Sequence, residues 1–148
     1  MSKIRVACAT IISKDDKILL VRESKEIAKD KFCLPCGKLE FDEEITKCAI
    51  RETKEETGLD VDLIKCVGVY QRPASTEDTN TVFFVFEAKP INGKLTTCKD
   101  HPEVGYFSIQ EIEKIKNEGN LRIKMTLHAI KDFINNQEIN LSKIKSIY

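Results

Sequence analysis

The sequence lacks an excess of charge of either sign. Its 24 lysine and arginine residues balance 24 aspartate and glutamate residues, so the formal net charge is zero. Proteins that bind nucleic acids or anionic membrane surfaces in a general way usually carry a basic excess. The composition therefore gives no support to general nucleic-acid binding or to attachment at a membrane surface.

Long apolar runs are missing as well. No stretch approaches the roughly 18 consecutive apolar residues that a membrane helix needs. The first residues, MSKIRVACATIIS, show neither a long apolar run nor a small-residue cleavage site, so we expect no signal peptide. These absences predict a cytoplasmic protein with no membrane partner. In that compartment the six cysteines are expected to remain reduced.

Histidine is scarce, and its scarcity limits what the cysteines can do. Cys33 and Cys36 form a C-x-x-C pair, a spacing found in half a zinc site or in a redox centre. A structural zinc site needs a second pair of cysteines or histidines at suitable spacing. The other cysteines are scattered, and the two histidines, 101 and 128, lie far apart. We therefore expect the cysteines to be small buried residues rather than ligands.

The chain does have the composition of a folded domain. It contains 148 residues, of which 41% are hydrophobic and 32% are charged, values typical of a globular protein. No repeat, low-complexity segment or linker divides it, so residues 1–148 are expected to form a single domain.

Strand-like and helix-like segments follow one another along the chain. Four segments rich in β-branched and apolar residues predict strands: IRVACATIIS, KILLVRES, VDLIKCVGVYQ and TVFFVFEAKP. The first two are separated by KDD, which predicts a tight turn. The last two are separated by RPASTEDTN, a polar loop long enough to be functional. An α/β fold with mixed strands follows from this order.

The remaining segments predict helices and one loop. YFSIQEIEKIKNEG predicts a short strand that leads into a helix capped by Ser108, and LRIKMTLHAIKDFI has helical spacing. EIAKDKFCLPCGKLEF is expected to be a loop because proline and glycine interrupt it. A further helix is predicted to run to Thr57, with Asp42 as its N-cap and Gly58 as its C-cap. Glu43 and Glu44 would then lie in its first turn.

That last helix has an unusual distribution of carboxylates. On a helical wheel, the apolar stripe formed by Ile45, Cys48 and Ala49 continues as Glu52 and Glu56, with Glu55 on its flank. An ordinary surface helix would place such acids on the opposite face. From these residues alone, the glutamates could instead be solvated partners of nearby bases, namely Lys47, Arg51 and Lys54.

Acids at this end of a helix are electrostatically unfavourable. The negative end of the helix dipole disfavours each by roughly 0.3–1 kcal/mol, like charges one turn apart add a few tenths of a kcal/mol, and partial burial adds a larger cost. A divalent cation would remove all three costs. Several carboxylates together form a hard oxygen ligand set that suits Mg²⁺ or Mn²⁺.

The spacing around this helix resembles the Nudix box, G-x5-E-x7-R-E-U-x-E-E-x-G-U, in which U is bulky and apolar. Eight fixed residues match: Gly37, Glu43, Arg51, Glu52, Glu55, Glu56, Gly58 and Leu59. Thr53 replaces an apolar residue, and it is expected on the helix flank. Cys36 and Asp42 stand where many relatives have glycine. The surrounding strand order is also similar to the Nudix fold, so the resemblance extends over most of the chain.

The resemblance implies a Nudix fold, an α/β/α sandwich with a mixed β-sheet. It also implies hydrolysis of a phosphoanhydride bond in a nucleoside diphosphate linked to another group, with Mg²⁺ as cofactor and Mn²⁺ as a substitute. The implied ligands are Glu52, Glu55, Glu56 and the carbonyl of Gly37. Arg51 would orient the carboxylates through a bidentate pair. Family members often use a further acid as ligand or base, and Glu103 is the candidate here; which carboxylate is the base stays open.

The resemblance leaves the small nucleotide substrate open, with (d)NTPs, oxidised dGTP and ADP-ribose as candidates. Lys38 is one candidate contact. Phe32 could stack on a base or belong to the core, Arg72 could meet a phosphate or be solvated, and Asn120 could contact a purine or cap a helix. The alternative to an enzyme is a catalytically silent Nudix-fold binding module, although no box glutamate is lost. Monomer and homodimer both remain open.

Overall fold

Eight strands and three α-helices account for most of residues 3–74 and 79–147, the parts of the chain that this computed structural model describes. The strands are β1 (Lys3–Ile11), β2 (Ser13–Lys14), β3 (Lys17–Arg22), β4 (Phe32–Cys33), β5 (Cys36–Lys38), β6 (Leu59–Arg72), β7 (Thr79–Gly93) and β8 (Glu103–Phe107). The helices are α1 (Ile45–Thr57), α2 (Ile109–Asn117) and α3 (Met125–Ile134). The predicted mixed α/β class is confirmed.

The strands form two sheets. The first has the order β5–β1–β7–β6, in which β1 runs parallel to β7 and the other neighbours are antiparallel. The second contains β2, β3 and β4, with β8 antiparallel to β3. The predicted tight turn is present at Asp15 and Asp16, which both have positive φ. It joins β2 to β3 rather than β1 to β3, because β1 pairs within the other sheet.

The first sheet is covered on both faces. Alternate residues of a strand point to opposite faces. Ala7 and Ala9 of β1 therefore join a core shared with Leu20 of the second sheet and with α2 and α3, while Cys8 joins a core shared with Cys48 of α1. This layering places α1 on the side of the sheet opposite α2 and α3. No helix within residues 3–74 and 79–147 is long and apolar enough to cross a membrane.

The cysteines are free thiols, and most lie in these cores. Cys8, Cys33, Cys48 and Cys66 are buried, as expected, but Cys36 is half-buried and Cys98 is exposed. The prediction of small buried roles is therefore wrong for Cys98. Burial raises the pKa of the Cys33 thiol to about 12, so this thiol stays protonated at neutral pH.

The start of α1 differs from the prediction. The helix begins at Ile45 with Glu44 as its N-cap residue, and no side chain caps it. Asp42 has a φ of 59°, in the left-handed region, so the predicted cap at Asp42 and the first-turn places of Glu43 and Glu44 are wrong. At the other end, Gly58 adopts the left-handed conformation with a φ of 79°, and the predicted C-cap is confirmed.

Of three other predictions about helices, strands and loops, one is confirmed and two differ from the structure. The segment expected to be a loop contains β4 and β5, which pair with β3 and β1 respectively. Ser108 caps α2 as predicted, accepting a hydrogen bond from the backbone N–H of Glu111. The last helix starts at Met125, because Leu121 instead bridges to Phe32.

Thr53, the departure from the box pattern, lies on the buried face of α1 rather than on its flank. Its hydroxyl donates to the carbonyl of Ala49 at 2.7 Å and shares a second hydrogen bond of 2.7 Å with the hydroxyl of Thr10 on β1. Both threonines are fully buried. A polar residue is therefore accommodated here because it has a partner on the neighbouring strand.

Thr53→Val is expected to lower the free energy of unfolding by about 1–3 kcal/mol, because it leaves the Thr10 hydroxyl buried without this partner. Thr10→Val/Thr53→Val should recover most of the loss, since neither hydroxyl then remains. Chemical denaturation of the wild type, both single variants and the double variant completes the cycle. A Thr53→Val protein as stable as the wild type would show that the hydrogen bond does not matter.

Candidate active site

The second half of α1 lies against β5, and this packing brings two box glutamates to the box glycine. The Glu56 carboxylate accepts a hydrogen bond of 2.9 Å from the backbone N–H of Cys36. The Glu52 carboxyl group lies directly against Gly37, so that a Cβ added to Gly37 would overlap it. Glycine at this position leaves room for the Glu52 side chain, which would have to move to accommodate a Cβ.

These two glutamates are largely removed from water, whereas the third is not. The side chains of Glu52 and Glu56 are 14% and 10% exposed, and that of Glu55 is 57% exposed. Burial raises the pKa of Glu56 to about 8, and the neighbouring Glu52 and Glu23 carboxylates contribute to the increase. Burial also raises the pKa of Glu52. Both carboxylates thus lie where a nearby positive charge would stabilise their ionised form.

Arg51 connects the box carboxylates to one another. It forms a bidentate pair with Glu43, with distances of 2.6 Å from Nε and 2.9 Å from Nη2. Its Nη1 lies 2.7 Å from Glu52 and 3.3 Å from Glu55, and its Nη2 donates to the carbonyl of Lys38. The bidentate partner of Arg51 is therefore Glu43. Hydrogen bonding to Arg51 lowers the pKa of Glu43 to about 2.

The donor set suits a divalent cation. The buried Glu56 carboxylate and the half-buried Glu52 carboxylate lie beside β5, where Gly37 leaves room for Glu52. Hard oxygen ligands are what Mg²⁺ and Mn²⁺ prefer. Within the described parts of the chain, no three His, Cys, Asp or Glu side chains converge as a preformed metal cluster. Glu55 turns towards Arg51 and solvent instead. Its role as a metal ligand stays a prediction.

A cleft of about 410 Å³ opens beside this site. Cys36 and Gly37 of β5 form one wall. Five cationic side chains also line it: Arg5, Lys31, Lys38, Arg72 and Arg122. The Glu52 and Glu56 carboxylates thus lie next to a strongly basic cleft, an arrangement suited to a substrate that carries phosphate groups.

Comparison with known proteins decides the family. The family model described as NUDIX domain matches residues 1–128. The chain belongs to the NUDIX domain family. Members of this family generally use divalent metal ions, and the geometry of Glu52 and Glu56 fits that use.

Two curated relatives match this Nudix chain over part of their length. The ADP-ribose pyrophosphatase of Methanocaldococcus jannaschii is 34% identical over 110 residues, which cover 74% of this chain and 65% of that protein. The 8-oxo-dGDP phosphatase of Mus musculus is 35% identical over 95 residues, which cover 64% of this chain and 28% of that protein. The match therefore spans less than two thirds of either relative.

A solved structure shows the same fold over almost the whole chain. A NUDIX hydrolase from Nitrosomonas europaea superposes with a TM-score of 0.89 at 26% identity, covering 98% of each chain. The Nudix fold predicted from the box and the strand order is confirmed.

The predicted substrate residues of this Nudix chain fall into two groups. Lys38 and Arg72 line the cleft. Phe32 packs edge-on against Phe107, with ring centroids 5.2 Å apart, so it contributes to the core. Asn120 accepts the backbone N–H of Phe32 through its own carbonyl. The loop expected to be functional includes residues 75–78, which lie outside the described residues.

Glu103 occupies β8, next to Arg22 of β3. Arg22 donates to the Glu103 carboxylate at 2.9 Å, and Arg22 also pairs with Asp30. The carboxylate outside the box that the fold brings towards Glu56 is Glu23, through the side chain of His101. The catalytic role of Glu103 stays a prediction.

Five residues around the site were not anticipated: Arg5, Glu23, Lys31, His101 and Arg122. They come from separate segments and meet only when the sheets pack. No spacing rule distinguishes them from ordinary surface charges in the sequence. The sequence could have identified Glu43 as the ion-pair partner of Arg51, because both are fixed residues of the box.

The stability of the protein in EDTA is expected to fall as the pH rises from 4.5 to about 8. The folded-state pKa of Glu56 is about 8, raised from 4.5 by burial. As the pH rises, the unfolded chain therefore loses this proton before the folded protein does. The contribution of protonated Glu56 to folding stability is complete below pH 4.5 and is lost as the pH rises through 8. Glu43, with its pKa lowered to about 2, has the opposite dependence, but its stabilising contribution is lost only in more acidic solution.

Thermal melting of the wild type and Glu56→Gln across this range measures the effect. The variant should show a shallower dependence, because the titrating group is gone while its amide oxygen can still accept the Cys36 N–H. Saturating Mg²⁺ should also flatten the wild-type profile, since the cation favours ionised Glu56. Equal slopes for the two proteins in EDTA would contradict the assignment.

Proposed function

We propose that this chain is a Nudix hydrolase that cleaves a phosphoanhydride bond in a small nucleotide, a nucleoside diphosphate linked to another group. The supporting observation is a pair of carboxylates, the buried Glu56 and the half-buried Glu52, held against Cys36 and Gly37 at the wall of a basic cleft. All four box glutamates are present, which favours an enzyme over a catalytically silent binding module. The proposal takes residues 1–148 as one domain in the cytoplasm, acting as a monomer or a homodimer.

The residues of the box have separable tasks in this proposal. Glu52, Glu56 and the carbonyl of Gly37 would hold Mg²⁺, or Mn²⁺ as a substitute, with Glu55 and Glu103 as further acidic candidates. When bound, such a cation neutralises charge on phosphate oxygens and makes a bound water more acidic. Arg51 is surrounded by carboxylates, so its task is to orient them rather than to contact substrate.

The cleft supports recognition through phosphates. Arg5, Lys31 and Lys38 line it, and none forms an ion pair with an acid within the residues that the structure describes. Cationic side chains without a carboxylate partner retain their capacity to bind anions. The aromatic residue that lines the cleft, Phe83, is buried. These features favour a substrate with at least two phosphates, bound mainly by charge.

The names of the relatives suggest where to start among the candidates. One relative is an ADP-ribose pyrophosphatase and another an 8-oxo-dGDP phosphatase. We therefore place ADP-ribose and 8-oxo-dGDP first, followed by (d)NTPs and oxidised dGTP. All of these molecules carry the diphosphate that the basic cleft favours.

The test is a substrate panel with Mg²⁺, with Mn²⁺ and with EDTA. Chromatography of the nucleotide products identifies both the substrate and the bond that is cleaved. The wild type should hydrolyse at least one compound in a metal-dependent manner, and Glu52→Gln/Glu56→Gln should be inactive. Nucleotide binding without turnover of any compound would overturn the proposal in favour of the silent binding module.

A further inference from the structure

Glu56 is held from two sides. One carboxylate oxygen, Oε2, accepts the backbone N–H of Cys36, and the other, Oε1, lies 3.5 Å from Nε2 of His101. His101 is far from the box in sequence but buried beside it in the fold. The Glu56 carboxylate thus accepts a hydrogen bond from a backbone group of the box loop and lies near a side chain outside the box.

The His101 ring is itself fixed. Its Nε2 lies 3.5 Å from Glu23 as well as from Glu56, and its Nδ1 lies 3.6 Å from the Cys98 thiol. An imidazole nitrogen that faces two carboxylates is favourable only when it carries a proton. The Cys98 thiol can then donate to Nδ1, which satisfies both ring nitrogens. A proton on Nε2 would then face the Glu23 and Glu56 carboxylates, each 3.5 Å away.

Glu23 anchors this arrangement. Its side chain is 3% exposed. One oxygen accepts the backbone N–H groups of Ser24 and Lys25, and the other lies 3.0 Å from Arg122. Arg122 also lines the cleft. A buried carboxylate that accepts this many hydrogen bonds is rigid, so Glu23 restrains the position of the His101 imidazole.

The turn that carries His101 is tied to the same support. Backbone hydrogen bonds run in both directions between Cys98 and His101, at 3.0 and 3.1 Å. Ser24 donates through its backbone N–H to the carbonyl of Asp100, and through its hydroxyl to that of Lys99. The position of the imidazole is thus determined by several contacts that do not involve the box.

We infer that His101, supported by Glu23, is a positioning residue that holds Glu56 in the orientation needed to bind the divalent cation. The inference rests on the proposed function, since it assigns Glu56 as a ligand. Residues that orient a ligand through a hydrogen bond typically contribute about 10- to 100-fold to metal affinity or activity. His101 acts through Glu56 and does not itself contact the substrate.

Two substitutions separate positioning from packing. His101→Gln keeps an N–H group at a similar distance from the backbone, whereas His101→Leu keeps bulk without a donor. We expect His101→Leu to weaken Mn²⁺ binding by about 10- to 100-fold and to lower kcat by a similar factor, with little change in the nucleotide KM. His101→Gln should retain most of both. His128→Leu, at the exposed histidine on α3, is the matched control and should behave as the wild type.

Mn²⁺ binding is measured by the electron paramagnetic resonance signal of the free ion, a readout that does not depend on turnover. If His101→Leu does not fold, His101→Asn replaces it, because the shorter asparagine amide does not reach Glu56. Wild-type Mn²⁺ affinity in the donor-free variant, or equal losses in the glutamine and donor-free variants, would overturn the positioning role. A wild type that binds no Mn²⁺ would overturn the proposed function, and this inference with it.

Discussion

Replacing Glu56 with glutamine is expected to lower turnover by at least about two orders of magnitude, the usual loss when a catalytic electrostatic group is removed. The substitution preserves volume and can still accept the Cys36 N–H. It removes the negative charge that would hold the cation against β5. Steady-state kinetics at saturating Mg²⁺, on the substrate found in the panel, give the result.

Folding must be intact for this comparison to be meaningful. Because burial disfavours the ionised carboxylate, Glu56→Gln in EDTA should melt at or above the wild type at pH 8. Glu113→Gln, an exposed glutamate of α2, is the control and should retain full turnover. Near-normal turnover of Glu56→Gln at saturating Mg²⁺ would rule out Glu56 as a metal ligand.

Gly37→Ala is expected to reduce turnover on the order of 100-fold, although it adds only a methyl group. The new Cβ would overlap the Glu52 carboxyl group. β5 cannot readily retreat, because Gly37 pairs with Cys8 of the central strand β1. Glu52 therefore has to leave its position, and with it the 2.7 Å contact to Arg51. Steady-state kinetics and Mn²⁺ binding should both record the displacement.

Gly105→Ala provides the matched control for a glycine within a strand. An added Cβ there would make an ordinary contact of 3.6 Å with the Phe107 ring, so turnover should match that of the wild type. If Gly37→Ala also retained wild-type turnover and Mn²⁺ affinity, the close approach of Glu52 to the box glycine would have no catalytic importance.

The sequence predicted those features that depend on local spacing. The box residues lie within one short segment, so the helix, its end at Gly58 and the presence of Glu52 and Glu56 on one stripe could all be inferred. The start of the helix could not be inferred in this way. The bidentate pair with Arg51 holds Glu43 outside the helix, and capping preferences alone do not include that long-range contact.

The rest of the site depends on packing between distant segments. Arg5 and Arg122 meet at one cleft only because β1 lies beside β5 and the chain returns past the same region after α2. Glu23 and His101 approach each other because β8 pairs with β3. Phe32 packs against the core beside Phe107 of β8, and its stacking on a base stays a prediction.

The parallel pairing of β1 with β7 has a consequence for how the chain folds during synthesis. β1 leaves the ribosome first, yet its long partner β7 and the β8 partner of β3 emerge much later. Non-local pairing of this kind slows folding, because a long loop must close before the contacts form. Until then the apolar segment VACATII lacks its β7 partner. The nascent chain therefore presents an apolar strand without that partner early, and protection by a chaperone would matter most in that interval.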